Sequence, residues 1–476
     1  MWNDTYHLAV LFGCMATLMY LVIHGRSIFV VAPLCALVAV TLSGEDPLSS
    51  MTGAYLSGFA DYVKRFYLLF ALGATFGKMM DESGAAVTVA NRVGRFLGTQ
   101  RACLAVVVAC ALLTYGGVSL FVVGFSVYPL AVQLFRAADL PRRFIPGAIA
   151  FGSITFTMTS AGSPEIQNLI PIQYLVDAET GAALTDARAG WPVSLIVGAL
   201  MFLFGQWYLE RAIRTDLRKG LRFEKRPDDR EPLSSDATKG PGFLLAILPL
   251  AVTLASLNLV PWLAHLVAAA WQPSAAAGSA LQRTHAILEK FPEDPTLAIF
   301  LGVVVGAIGL QRRLPSIWNC FGDGFVNGFL AVGSTSAIVG FGSAIKNLHS
   351  FQLVVDWVTH LPGDPLFSAA LAVAVIAAIA GSASGGQGIA LPIIKPIYVD
   401  ELGVAPRALH RVVAISSGTL DSLPANGFLV MLIRNICGET HARAYGPIFV
   451  TTVIIPAFGT VLAILLFKWF PQWGQW

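Results

Sequence analysis

Charge is what this chain has least of. Of its 476 residues only 12% are Asp, Glu, Lys or Arg, against roughly 25% in a soluble domain. A chain of this length folded in water would cover several cores with such residues, so an ordinary water-soluble enzyme is excluded. The net charge is only +3, and the basic residues are scattered, which leaves no electrostatic footprint for nucleic acid. Cysteine is sparse too. Cys14, Cys35, Cys103, Cys110, Cys320 and Cys437 lie in or beside apolar runs, without CxxC spacing or paired His, and read as small hydrophobes. There is no H-E-x-x-H and no G-x-S-x-G, and Asp421 lacks a convincing second intramembrane Asp. An intramembrane enzyme is therefore not expected, and no cofactor or metal is implied. The segment Met1 to His24 has neither a basic leader region nor a small-residue cleavage site, so it is expected to stay attached as a first span.

What the chain has in abundance is apolar sequence, 55% of all residues. A membrane helix needs about 20 such residues. Stretches of this kind lie at 7–24, 27–43, 62–80, 141–176, 192–212, 241–262, 295–310, 318–345, 406–437 and 447–469. The fold class expected is an all-α polytopic membrane protein with about ten full crossings. Two further stretches do not fit as crossings. Residues 102–135 run for 34 positions without a charge or His, and 365–394 run uncharged for 30. Each is too long for one pass and too short for two with a turn. Their centres, Tyr115-Gly116-Gly117-Val118-Ser119 and Ser382-Ala383-Ser384-Gly385-Gly386-Gln387-Gly388, break a helix. Each is expected to be a re-entrant helical hairpin with its tip inside the membrane, where protein or a wet cavity must satisfy the broken backbone.

With an external N terminus, this layout puts 21 of the 31 basic residues on the cytoplasmic side, as the positive-inside rule asks. Both termini are then external, and the location expected is a cell membrane of the bacterial inner membrane type. The domains expected are an extra N-terminal span (1–26), a first inverted repeat (27–213) with the hairpin 102–135, and a charged cytoplasmic linker (214–240). A linker span and external insertion (241–294) follow, then a second inverted repeat (295–476) with a hairpin over 365–400.

The repeat shows when the chain is slid against itself by 265 positions. Gly116 then meets Gly381, Ser119 meets Ser384 and Pro141 meets Pro406. One residue's slip brings Ser153 onto Ser417, Thr155 onto Thr419 and Ala161 onto Ala425, while Gly58-Phe59 falls near Gly324-Phe325. The same offset superposes hairpin on hairpin and broken helix on broken helix. Inverted repeats with discontinuous helices belong to transporters, which hold substrate near the bilayer midplane at the repeat interface.

In each half the pass after the hairpin is interrupted by small and polar residues. The interruptions are Thr155 to Asn168 and Ser416 to Gly427. Half-helix N termini there offer open N–H groups and partial positive charge to an anion, and clustered hydroxyls suit a hydroxylated one. Equally, such hydroxyls can serve only to hold helices together. The candidate substrate-binding residues are Gly117, Ser119, Thr157, Ser160, Ser163, Asn168, Ser382, Ser384, Thr419 and Asn426. Asp421 is the candidate coupling residue: a carboxylate at this depth is expensive and survives where it carries a proton, caps a half-helix, or contacts substrate or sodium. Glu165, after Pro164, reads as a capping acid. Lys395 could counter a substrate carboxylate or snorkel to the surface. His410 and Arg411 are expected at the outer interface.

The stretches Gly116-Gly117-Val118-Ser119, Gly162-Ser163-Pro164-Glu165-Ile166-Gln167-Asn168-Leu169-Ile170-Pro171 and Ser417-Gly418-Thr419-Leu420-Asp421-Ser422-Leu423-Pro424-Ala425-Asn426-Gly427 resemble the gluconate permease (GntP) family, in particular its 3-hydroxybutyrate permeases. The similarity covers most of the chain outside 263–294. In the family the last motif often reads Asp-x-Leu-Pro-His-x-Gly, and Ala425 stands here in the place of the His. The resemblance implies proton-linked uptake of a small hydroxylated monocarboxylate, of the gluconate or 3-hydroxybutyrate type, on a fold similar to the ion transporter superfamily. It also implies a homodimer in which a transport domain slides against a scaffold. The partners expected are thus a small organic anion, a proton or else sodium, and membrane lipid. An anion channel is the alternative from another class, since re-entrant loops also build filters.

Overall fold

The computed structural model describes residues 2–23, 26–118, 120–225, 240–271, 284–285, 295–359, 363–380, 382–424 and 426–475. Ser119, Gly381, Ala425, residues 226–239 of the linker and most of the 263–294 insertion lie outside them. All regular structure among the described residues is helical, apart from one isolated bridge between Val176 and Ala183. Among these residues five helices are long and apolar enough to cross a membrane unaided: Trp191–Arg218, Phe243–Ala268, Pro295–Arg313, Ile317–Ile345 and His441–Trp469. The other expected crossings are shorter, bent or charged. Ile28–Leu42 has 15 residues, and Leu56–Glu82 carries Asp61, Lys64, Arg65 and Lys78. Ala85–Leu97 meets Thr99–Tyr115 at a bend of 104°, where Gly98 takes a φ of +73° that costs a residue without Cβ little. Large apolar side chains stand outward around the molecule, among them Phe96, Leu244 and Trp318, each more than 80% exposed. That much exposed apolar surface suits lipid rather than water.

Helices in lipid gain little from hiding apolar surface, so close backbone approach must hold them. Ile317–Ile345 supplies it with glycines. Gly324 rests on Thr75, Gly328 on Ala71 and Gly340 on Tyr55, while Gly58 of the facing helix rests on Ser343. The two long helices Leu56–Glu82 and Ile317–Ile345 therefore run antiparallel along their whole contact. The N-terminal helix Trp2–Ile23 stands apart from the main core. It packs on Ile28–Leu42 and His349–Thr359 around Leu11, Leu18, Ala36, Ala39 and Phe341. All six cysteines are buried, and none forms a disulfide.

Two pairs of helices fold back on themselves, Ala102–Tyr115 with Leu120–Ala137 and Pro365–Ala380 with Ala383–Lys395. The tip of the first pair turns at Gly117, φ +93°, whose missing Cβ lets Pro164 approach to 3.3 Å of that position. One expected boundary moves. The crossing 192–212 continues as a helix to Arg218, because Asp216 is buried in an ion pair with Arg143 (2.6 Å) and Arg214 pairs with Glu210 one turn back (3.3 Å). The first residues of the charged linker thus belong to the helix.

Candidate functional site

Two stretches of chain give up helical hydrogen bonding in the interior, and side chains replace what is lost. In the first, Ile145–Ala150 widens into a π-turn over Phe151–Thr155, the backbone unwinds, and Ile166–Tyr174 resumes. Gly162, φ +78°, turns the chain at the centre of the break. Every backbone group freed in a dry interior must find a partner. Tyr115 Oη donates to the carbonyl of Ala161 (2.6 Å), and Asn258 Nδ2 donates to that of Gly162 (2.9 Å). The Ala161 N–H reaches Ser194 Oγ (2.8 Å), and the Gly162 N–H reaches the carbonyl of Ala187 (2.7 Å). Asn168 Nδ2 binds both the Ser163 and Ala187 carbonyls, at 2.8 and 2.9 Å.

Several predicted binding residues spend their side chains in this way. Thr157 Oγ1 donates to the Ser153 carbonyl (2.7 Å) and Ser160 Oγ to that of Phe156. Ser163 Oγ accepts from the Glu165 N–H (3.3 Å). These groups hold the break open. Glu165 occupies the N-cap position of Ile166–Tyr174, as expected of a capping acid, yet its side chain makes no cap hydrogen bond; the Asn168 N–H is satisfied by the Glu165 carbonyl instead (3.0 Å).

The second break follows Pro406–Leu420. Asp421 Oδ1 accepts from the Ser422 hydroxyl (3.0 Å), and the carboxylate also faces the backbone N–H of Ala383, first residue of the returning helix of the second hairpin. No basic residue pairs with Asp421 among the described residues. Asn426 closes the turn, donating to the Asp421 carbonyl (3.1 Å) and accepting from the Leu429 N–H (3.0 Å). Thr419 Oγ1 bonds the Ser416 carbonyl at 2.5 Å. At the hairpin, Ser382 caps the helix by accepting from the Gly385 N–H (3.2 Å) and shares a hydrogen bond with Ser384 (3.1 Å).

One side chain that sequence reasoning passed over joins these parts. Gln387, completely buried, donates to the carbonyl of Gln167 (3.0 Å) in the first broken helix and to Ser417 Oγ (2.8 Å) in the second. A long amide set among Gly385, Gly386 and Gly388 was the available signal. The glycines let this helix lie against Ala377 and Tyr62, which carries Gln387 inward. Lys395 is paired with Asp400 at 2.8 Å, so its ammonium goes to a neighbouring acid and neither snorkels freely nor stands open to a ligand.

His410 and Arg411 correct the expectation directly. The sequence places them at the outer interface; the structure leaves neither exposed at all. His410 Nδ1 meets Thr185 Oγ1 (2.8 Å) and Nε2 meets Asn168 Oδ1 (3.3 Å). Arg411 Nε donates to the Ala189 carbonyl (2.9 Å) and Nη1 to that of Thr159. The reason is long-range: the loop 175–190 folds over the start of Pro406–Leu420, and no local pattern announces it. Above this region lie two adjoining cavities of about 820 and 490 Å3. Both are lined by Arg188, Trp191, Asn258 and Leu259; the smaller reaches Tyr115, Ala161 and Gly162 at the first break. An ion pair between Arg407 and Asp186 borders the larger.

Comparison with known proteins gives this arrangement its context. The family of GntP family permeases matches residues 6–468. The chain belongs to the GntP permease family. Among its relatives, the uncharacterized transporter YxjC of Bacillus subtilis (strain 168) is 32% identical over 472 residues, covering 94% of this chain and 96% of its own. The D-serine transporter DsdX of Escherichia coli (strain K12) is 25% identical over 414 residues, 84% of either chain. Among solved structures, the Alcanivorax borkumensis YdaH transporter is similar over 89% of both chains with a TM-score of 0.59 at 18% identity. Neisseria gonorrhoeae MtrF, at 14% identity, gives 0.52 over 89% of this chain and 84% of its own. At those identities the likeness speaks for the fold alone. This GntP permease family member is thus a multi-pass membrane transporter of a small molecule, helical in its regular structure throughout the described residues.

Proposed function

We propose that this permease is a secondary active transporter that takes up a small hydroxylated monocarboxylate together with a proton, by alternating access. The observation that carries the reading is the convergence of two interrupted helices and a glycine-rich hairpin on one buried polar region, bridged by Gln387. The relative named for D-serine transport handles a small carboxylate that also bears a hydroxyl, which fits the gluconate or 3-hydroxybutyrate class read from the sequence motifs. Candidate contacts remain Gly117, Ser119, Ser384 and Asn426 with the hydroxyls around them. A homodimer and a lipid-embedded scaffold are part of the same reading.

An inverted repeat is supported by how the two long helices meet. Such a repeat sets equivalent helices antiparallel, as Leu56–Glu82 and Ile317–Ile345 are: Gly58 rests on Ser343 and Gly324 on Thr75. Each repeat then contributes a hairpin and a broken helix to the site.

Asp421 supplies the coupling in this reading. As an anion it is drawn to the Ala383 N–H at the helix N terminus and to the Ser422 hydroxyl. Protonation removes the charge that this helix end attracts, so proton binding at Asp421 loosens the docking of the second hairpin and substrate binding can restore it. Proteoliposomes with an imposed proton gradient should accumulate labelled 3-hydroxybutyrate or gluconate above equilibrium. A channel would stop at equilibrium, and dependence on a sodium gradient would replace the proton. Asp421→Asn should abolish accumulation while leaving counterflow exchange; normal accumulation by that variant removes Asp421 from the coupling role.

A further inference from the structure

We infer that Arg411 is the anchor for the carboxylate of the transported solute. It is the largest fully buried side chain among the described residues. Two of its three nitrogens are spent on backbone: Nε on the Ala189 carbonyl and Nη1 on the Thr159 carbonyl. The third, Nη2, is buried and has no hydrogen-bond partner. Asp186, the acid whose charge reaches it, is bonded to Arg407 and to the Arg188 N–H (2.7 Å), and among the described residues no acid forms an ion pair with Arg411 itself.

A buried guanidinium without a counter-ion is costly, and the cost recurs in every copy of the protein unless something negative visits it. Its position says what can. Thr159 lies two residues before Ala161, and Ala189 lies between Arg188 and Trp191; Ala161, Arg188 and Trp191 all line the smaller cavity. Arg411 therefore ties together the two strands of backbone that form the cavity wall, with Nη2 the one nitrogen left without a partner. Tyr115, on the first hairpin, borders the same cavity and binds the Ala161 carbonyl, two residues from the Thr159 carbonyl that holds Arg411. Arg411 itself lines neither cavity; in this proposal an anion entering past Arg188, and past Arg407 with its partner Asp186, passes between the Thr159 and Ala189 backbones to reach Nη2. The guanidinium, held at Nε and Nη1, is already oriented, so binding spends little on ordering it. The inference deepens the transport reading and rests on it, since it names what takes the negative end of the solute.

The test compares an acid with its neutral isostere. Thermal-shift titrations of the purified protein would use 3-hydroxybutyrate, gluconate and D-serine, each against the corresponding carboxamide. In the native protein the acid that binds should do so about 100-fold more tightly than its amide, as expected for losing one charge of a desolvated pair. Arg411→Gln should bring acid and amide to within about threefold of each other by weakening the acid. If the native protein binds acid and amide alike, or if Arg411→Gln keeps native affinity for the acid, the anchor is refuted while transport stands. If none of the three acids binds, the transport reading fails and the anchor with it. Should Arg411→Gln not fold, the acid-to-amide ratio of the native protein decides the matter alone.

Discussion

Gln387 offers the sharpest test of how the site is held together. It donates to the Gln167 carbonyl and to Ser417 Oγ from full burial, so Gln387→Ala removes two hydrogen bonds worth about 1 kcal/mol each and strands two buried acceptors. The loss is partly offset, because Gln387 Oε1 has no partner in the native structure and disappears with the side chain. A net cost of about 2 kcal/mol in docking the second hairpin remains, or roughly 30-fold in the equilibrium between docked and undocked. Hydrogen exchange read by mass spectrometry in nanodiscs measures that equilibrium segment by segment. Peptides from Ala383–Lys395 should exchange about 30-fold faster, while those from Trp191–Arg218, which Gln387 does not touch, should be unchanged. An acceleration below about threefold would mean that the bridge contributes nothing to docking. A uniform loss of protection would mean that Gln387 supports the whole fold rather than a joint between moving parts.

Other expectations follow from the same geometry. Gly162 and Gly181 both have positive φ, +78° and +67°, but a methyl at Gly162 runs into the Asn258 amide and the Tyr115 hydroxyl whereas Gly181 faces open space. Gly181→Ala should cost only backbone strain, about 1 kcal/mol, and Gly162→Ala at least twice that; equal melting temperatures in detergent would show that the break at Gly162 is not held as described. The re-entrant reading of the second hairpin is open to cysteine labelling. On a cysteine-free background, Asp364→Cys and Asp400→Cys should both react with an impermeant maleimide from one and the same side of the membrane, and labelling from opposite sides would turn the hairpin into two ordinary crossings.

The membrane nature of the chain was open to view in its composition, because lipid exposure imposes a rule that every surface residue must obey. The breaks were legible for a similar reason. Glycine, proline and hydroxyl residues act on the backbone next to them, so Tyr115 to Ser119, Thr155 to Asn168 and Ser416 to Gly427 marked the places where helices stop. What could not be read was the partner of each polar group. Thr157 and Ser160 looked like ligands, and their hydroxyls bond carbonyls four residues back, while Gln387 looked like part of a helix-breaking tip and joins both broken helices. His410 and Arg411 show the limit most clearly: with Pro406 and Arg407 nearby they resemble an interfacial turn, yet contacts with Asn168, Thr159, Thr185 and Ala189, more than 200 positions away in sequence, bury them. Local sequence determined that this chain is made for lipid and where its helices break, since those are properties of neighbouring residues and solvent. Only the tertiary structure decided which charges are hidden and what they face, because burial depends on segments that meet after the chain has folded.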